Sequence, residues 1–317
     1  MYRYQKLTHI CVFIILVMIT FRYHHDPILN DEQTLFHYVE EVSKTEDRLY
    51  NEILQKSADY AESPQNAIID KVWKKIPGRN GIKVDIDKSY DQMQKKGKFD
   101  ESLLVYRQIP PEISLEDLPA SPIYRGHPEK EMVTFLINVS WGTEYIPHIL
   151  EVLKEKQVKA TFFIEGKWAK ENAEYVKMIA DEDHIIGNHA YDHPDMARLS
   201  SQEITEQIEH TNAIIKSIID EEPKWFAPPS GSYNNEVVKI ADDLDMETIM
   251  WTVDTIDWKN PSVSVMIDRV MNHIHPGATI LMHPTASVTR GLDELIDRIQ
   301  QQGFRTGSIE NLLSEKR

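Results

Sequence analysis

Cysteine is nearly missing from this chain of 317 residues: Cys11 stands alone. No intrachain disulfide can form, and no cysteine-based metal site can be built. Basic residues are also in deficit, 35 Lys and Arg against 51 Asp and Glu, giving a formal net charge of −16. No Lys/Arg run hides a basic patch under that total, so nucleic acid is not expected as a partner. Glycine-rich phosphate loops of the GxGxxG or GxxxxGK[ST] type are absent, which leaves nucleotide binding without support.

What is present begins at the N-terminus. Arg3 and Lys6 precede an unbroken apolar run, Ile10 to Ile19, extended by Phe21. That is a positive n-region followed by an h-region. A buried core helix is the competing reading, but no polar residue gives the run an outward face. No small-x-small cleavage site follows, and the run is shorter than the roughly 20 residues of a full span. Residues 1–24 are expected to be a signal peptide or signal anchor. The body is then extracytoplasmic, secreted or held to the membrane by this segment.

With 41% hydrophobic residues, the remainder can build one large core and something smaller. Residues 25–127 are expected to form a helical or mixed accessory or stalk region. Leu35, Tyr38, Val39, Val42, Leu49 and Ile53 fall at helical spacing with a thin apolar face. Asn66 to Lys75 suggests a further short helix, ended by Pro77-Gly78. From residue 128 onward, strand-like and helix-like stretches alternate. Strands are expected at 133–138, 159–165, 184–188, 224–227, 247–253, 278–283 and 304–306. Helices are expected around Ile146–Leu153, 173–180, from a Ser200/Glu203 capping box through Ile218, 235–243, 262–273 and 292–301. Seven strands alternating with helices predict a parallel α/β arrangement.

In such folds the working residues gather at the carboxyl ends of strands. Those ends carry Asn138, His189 and His193 in GNHAYDH, Pro228 to Gly231 in PPSG, Asp254 to Trp258 in DTIDW, and His283. His189 and His193 are four apart, which on a helix would bring both imidazoles over one metal. Each signal has an ordinary structural explanation, but their shared register at successive strand ends does not.

KATFF at 159–163, GNHAYDH at 187–193, PPSG at 228–231, DTIDW at 254–258 and ILMH at 280–283 together resemble the polysaccharide deacetylases with a NodB-homology domain, carbohydrate esterase family 4. The resemblance covers residues 128–317. It implies a distorted (β/α)7-type barrel that removes acetyl groups from N-acetylglucosamine in peptidoglycan or chitin-like polysaccharide, a hydrolase acting on non-peptide carbon–nitrogen bonds. It also implies a divalent metal, usually zinc, on His189 and His193, and His283 as the acid, its basicity raised by Asp257 or Asp254. Trp258 would wall the acetyl pocket, with Pro229, Ser230 and Gly231 beside it. The N-terminal portion adds a likeness to secreted or anchored deacetylases of spore-forming Gram-positive bacteria.

One motif departs. The family's first strand ends in TFDDG, carrying the base and a metal ligand. Aligned without gaps, these slots fall on Asn138 and Val139; pairing the glycine with Gly142 puts Ser140 and Trp141 there instead. Neither register restores a carboxylate. The arginine that normally pairs with the base is replaced by Ala227. An amide cannot accept a proton near neutral pH, and losing a positioned base costs about 10²–10⁴ in rate. Deacetylation is therefore expected to be weak or lost. The alternative is a non-catalytic glycan-binding protein, or a structural protein of the envelope or of sporulation.

Overall fold

The structure, a computed structural model, describes residues 47–317. The apolar run at Ile10–Ile19 and the helical spacing over 31–46 lie outside those residues. Among the described residues no helix is long and apolar enough to cross a membrane. The described chain divides into two compact units, residues 47–61 with 83–107 and residues 62–82 with 108–317.

In the smaller unit, the helix Arg48–Lys56 starts at Asp47, whose carboxylate accepts from Leu49 N and from the Tyr90 hydroxyl at 2.9 Å. Its buried Leu49 and Ile53 meet Tyr90 and Met93 of the helix Ile86–Met93.

In the larger unit, residues 66–75 are not helical. They form an antiparallel hairpin of β1 (Ile68–Asp70) and β2 (Lys74–Ile76). Asp70 explains the difference: its Oδ1 accepts from Val72 N and Trp73 N, both at 2.7 Å, a side-chain-closed turn that competes with helix. The flanking Ile68, Ile69 and Val72 are β-branched and favour strand. A further two-stranded pair, β3 (Gly81–Val84) with β4 (Tyr106–Ile109), has residues in both units.

The barrel is built on β5 (Met132–Val139), β6 (Thr161–Ile164), β7 (Ile185–Asn188), β8 (Trp225–Phe226), β9 (Glu247–Thr248), β10 (Val253–Asp254), β11 (Thr279–Met282) and β12 (Arg305–Thr306). Seven strands run in the order β10-β11-β5-β6-β7-β8-β9, and β12 pairs with the start of β5. Every pairing in this sheet is parallel. The helices fall where their periodicity places them, and Ser200 and Glu203 form the expected capping box of Ser201–Ile219.

The stretch 247–253, expected as one strand, is two. β9 and β10 lie at opposite ends of the sheet path although Thr248 and Val253 are only five residues apart, a reach of no more than about 18 Å. The sheet must therefore curl until its ends nearly meet. Residues 122–126 fill the remaining slot. Ile123 N donates to Thr248 O and Met250 N donates to Ile123 O, each at 2.8 Å, while Gly126 N donates to Gly277 O at 2.9 Å on the other side. Closure of this kind satisfies edge groups that would otherwise need water.

Alternation along the strands makes two cores. Phe135, Ile137, Val139, Phe162, Ile164, Ile280 and Met282 face the helix layer. Leu136, Phe163, Ala227, Ile249 and Ile123 fill the barrel interior with Ile309 and Leu312 of the helix Ile309–Leu313. Since Ile123 is fully buried and carries the closing bonds, Ile123→Ala is expected to cost about 2–5 kcal/mol. Urea unfolding checks this; an unchanged midpoint would mean that residues 122–126 are not part of the barrel wall.

Candidate active site

The carboxyl ends of the strands bring most of the expected residues to one mouth. At β11, His283 Nδ1 is 2.8 Å from Asp257 Oδ1. Asp257 is fully buried, and its Oδ2 also accepts from His283 N at 2.6 Å and from Thr285 Oγ1 at 3.3 Å. A carboxylate accepting at Nδ1 fixes the imidazole's tautomer and leaves Nε2 for chemistry. Asp257 is thus the partner of His283. Asp254 turns to its own loop, its Oδ1 accepting from Ile256 N at 2.8 Å and its backbone oxygen from Arg269 Nε at 2.7 Å.

At β7, His189 and His193 have ring centroids 5.2 Å apart. No helix does this: the chain after Asn188 is a loop, with positive φ at Ala190 (59°) and His193 (60°). His189 Nδ1 donates to Ala227 O at 2.7 Å, so Nε2 carries the free lone pair. Burial, reinforced by the neighbouring His193, pulls the His189 pKa down to about 3. His193 is exposed.

At β8, Pro229–Gly231 forms a tight turn with Ser230 at φ 54°. Gly231 has φ 67°, and a Cβ there would come within 3.1 Å of Trp251, so glycine is required. Trp258 is 52% exposed beside Asp257.

The first strand behaves differently. Asn138 is 4% exposed, lies on the inward face with Leu136, and its Oδ1 has no hydrogen-bond partner. Val139 is fully buried in the outer core, among the helices. Ala227 is 1% exposed in the interior. An arginine there without an anion at 138 would be an unpaired buried charge, worth about 3–5 kcal/mol of destabilisation.

Two residues at the mouth escaped sequence reasoning. Trp141 is 46% exposed and stacks on His283 at 5.9 Å with a 9° interplanar angle. Gly142 lets this loop pass close to Pro284: at φ 77°, a Cβ would lie 2.1 Å from Pro284 O. Glu165, 9% exposed, follows β6 on the same face as Phe163. Burial raises its pKa, partly offset by a hydrogen bond from Ser140 and by His193. The signal for Glu165 was period-two alternation beyond Phe163; for Trp141 it was an aromatic placed directly after a strand end.

A resident metal is tested by this donor set. His189 is oriented as a ligand should be, yet among the described residues no three His, Cys, Asp or Glu side chains converge on one point. A catalytic zinc site needs three protein ligands, so the residues present do not fit one.

His189 also predicts an acid limb. Its folded pKa lies below the 6.5 of free imidazole, so the unfolded chain protonates first as pH falls. The stabilisation is complete above about pH 6.5 and is lost progressively below it. In His189→Asn, the loss of urea stability between pH 7 and 4.5 should shrink by something of the order of 2 kcal/mol. An equal loss in both proteins would show that the imidazole is not held neutral by burial.

The polysaccharide deacetylase family model matches residues 125–249. An uncharacterised protein of Bacillus subtilis, YlxY, is 47% identical over 315 residues, 99% of each chain. A peptidoglycan-N-acetylglucosamine deacetylase of Bacillus cereus is 34% identical over 194 residues, 60% of this chain and 70% of its own. Among solved structures, a carbohydrate esterase family 4 pseudoenzyme from Bacillus anthracis is 54% identical with a TM-score of 0.81, covering 86% of this chain and 97% of that one. A mutant of that pseudoenzyme, described as having restored enzymatic activity, matches with 53% identity and the same TM-score of 0.81, over 86% of this chain and 100% of its own. On its strand-end residues and on this likeness, the chain belongs to the polysaccharide deacetylases of carbohydrate esterase family 4, as a member whose β5 carries neither of the family's paired aspartates.

Proposed function

We propose that this protein binds N-acetylglucosamine-containing cell-wall glycan at the barrel mouth and releases little or no acetate from it. One observation carries the reading: Asn138 and Ala227 are both neutral and buried where a base and its arginine are expected, while the Asp257–His283 pair is intact. The acid is in place and nothing activates water. A divalent metal, zinc by ligand type, is held at most weakly by His189 and His193. The relatives named for peptidoglycan deacetylation supply the substrate class. The protein acts outside the cytoplasm, held or exported by residues 1–24, with the residues from 25 leading into the deacetylase-like barrel, whose wall already includes residues 122–126. A structural role in the envelope or in sporulation is the alternative and predicts no glycan affinity.

Acetate release from N-acetylchitooligosaccharides and peptidoglycan, measured with added zinc beside a binding titration, tests this. The expected outcome is binding, with acetate no higher than in His283→Ala. Robust release by the unaltered protein would sink the reading. The variant Asn138→Asp, Val139→Asp, Ala227→Arg should raise release about 10²-fold or more if the groove is sound. Because Val139 faces apolar core, that variant should also melt lower than Asn138→Asp with Ala227→Arg alone.

A further inference from the structure

The hairpin of β1 and β2 leaves apolar side chains in water on both of its faces. Ile68 and Ile69 are neighbours on β1 and therefore point to opposite faces, yet they are 51% and 46% exposed. Val72 and Trp73, in the turn, are 67% and 36% exposed. Four of the eleven exposed large apolar side chains among the described residues thus fall within six consecutive positions. Single apolar residues on a surface need no explanation, but a contiguous group does. With both faces of β1 uncovered, the hairpin stands out from the body that carries it.

Its tip is ordered and its base is fixed. Asp70, the one carboxylate in residues 68–75, closes the turn through Val72 N and Trp73 N. Lys71 and Lys74 remain at the tip, with Lys74 Nζ donating to the Lys71 carbonyl at 3.2 Å. Lys75 is buried and engaged by Glu247, and its N–H donates to Pro122 O at 3.1 Å, which ties β2 to the barrel. Trp73 leans edge-on against Tyr124, and the Arg125 guanidinium lies 5.8 Å from its ring. An apolar tip ringed by cations thus projects from a chain of net charge −16.

Size decides what covers it. A stable protein partner or a second copy buries about 800 Å² per side, from roughly 20–30 residues, more than six residues of a two-stranded hairpin can offer. A bilayer surface needs no matching face. Branched aliphatic side chains enter the acyl boundary, an indole sits at headgroup level, and lysines meet anionic headgroups. We propose that the β1–β2 hairpin dips into an anionic lipid surface, with Ile68, Ile69 and Val72 inserted, Trp73 at headgroup level, and Lys71 and Lys74 on the phosphates. This contact depends neither on glycan binding nor on residues 1–24.

The test places a polarity-sensitive fluorophore on Val72→Cys in the full-length chain carrying Cys11→Ser, which removes the one native cysteine. The same label on Val265→Cys, a side chain 59% exposed on the helix Val263–Met271, is the reference. Added vesicles hold equal parts phosphatidylglycerol and brominated phosphatidylcholine. Emission from position 72 should shift to the blue and be quenched, while position 265 changes little. Lys71→Gln and Lys74→Gln should each lower the partition of the hairpin about fivefold, read as lost quenching at fixed lipid. Ile69→Cys supplies a second reporting position should Val72→Cys fail to fold. No more quenching at 72 than at 265 would overturn the proposal. So would a label at 72 already shielded from iodide before lipid is added, the sign that a second copy or residues 1–46 cover the hairpin. Equal quenching on vesicles of brominated phosphatidylcholine alone would overturn the anionic surface.

Discussion

Strand β5 is covered on both faces and paired on both sides, to β11 along one edge and to β12 and then β6 along the other. A strand so confined cannot slip, because a one-residue shift would exchange its interior and exterior side chains. The alternation therefore dictates what each position can do. Asn138 faces the mouth with Leu136 behind it, while Val139 faces the helix layer with Ile137. A carboxylate at 139 would have to leave an apolar cluster to reach a metal, and a valine has no reason to leave. The substitution thus does more than remove a ligand: it commits the strand end to packing.

The surviving Asp257–His283 pair is weaker support for catalysis than it first looks. Asp257 is fully buried and accepts from a backbone N–H and from Thr285 as well as from the imidazole. Removing it would orphan three donors in a closed loop, so selection for folding alone can retain it. Asn138 and Ala227 lack such ties, and the mouth could lose its other charges without unfolding. Retention at one strand end and loss at another follow from how much structure each side chain supports.

Much of this arrangement was legible in the sequence. Periodicity placed β5, β6, β7, β11 and the six longer helices of the barrel, and the Ser200/Glu203 box marked a helix start to the residue. The failures share a cause. The hairpin at 68–76 depends on a turn closed by Asp70, and the division of 247–253 into β9 and β10 depends on residues 122–126 entering between distant strands. No local pattern reports barrel closure. The two histidines lie side by side, 5.2 Å between ring centroids, but on a loop with left-handed residues at Ala190 and His193 rather than on a helix. Glu165 and Trp141 left only weak local signals, because which face is buried, and which ring stays half-exposed, are tertiary facts.

The charge state of the mouth then decides which ligand it suits. His189 stays neutral, its pKa near 3. Burial raises the Glu165 pKa, with Ser140 and His193 working against it. Asn138 and Ala227 carry no charge, and the charge of Asp257 is occupied by His283 and its neighbours. A metal ion or an oxyanionic transition state needs concentrated opposite charge held in place, and this inner shell offers little. A neutral amide on a neutral sugar needs only shape, a flat aromatic surface and hydrogen bonds of matching sense. The electrostatics of the mouth thus favour holding a neutral glycan over cleaving it.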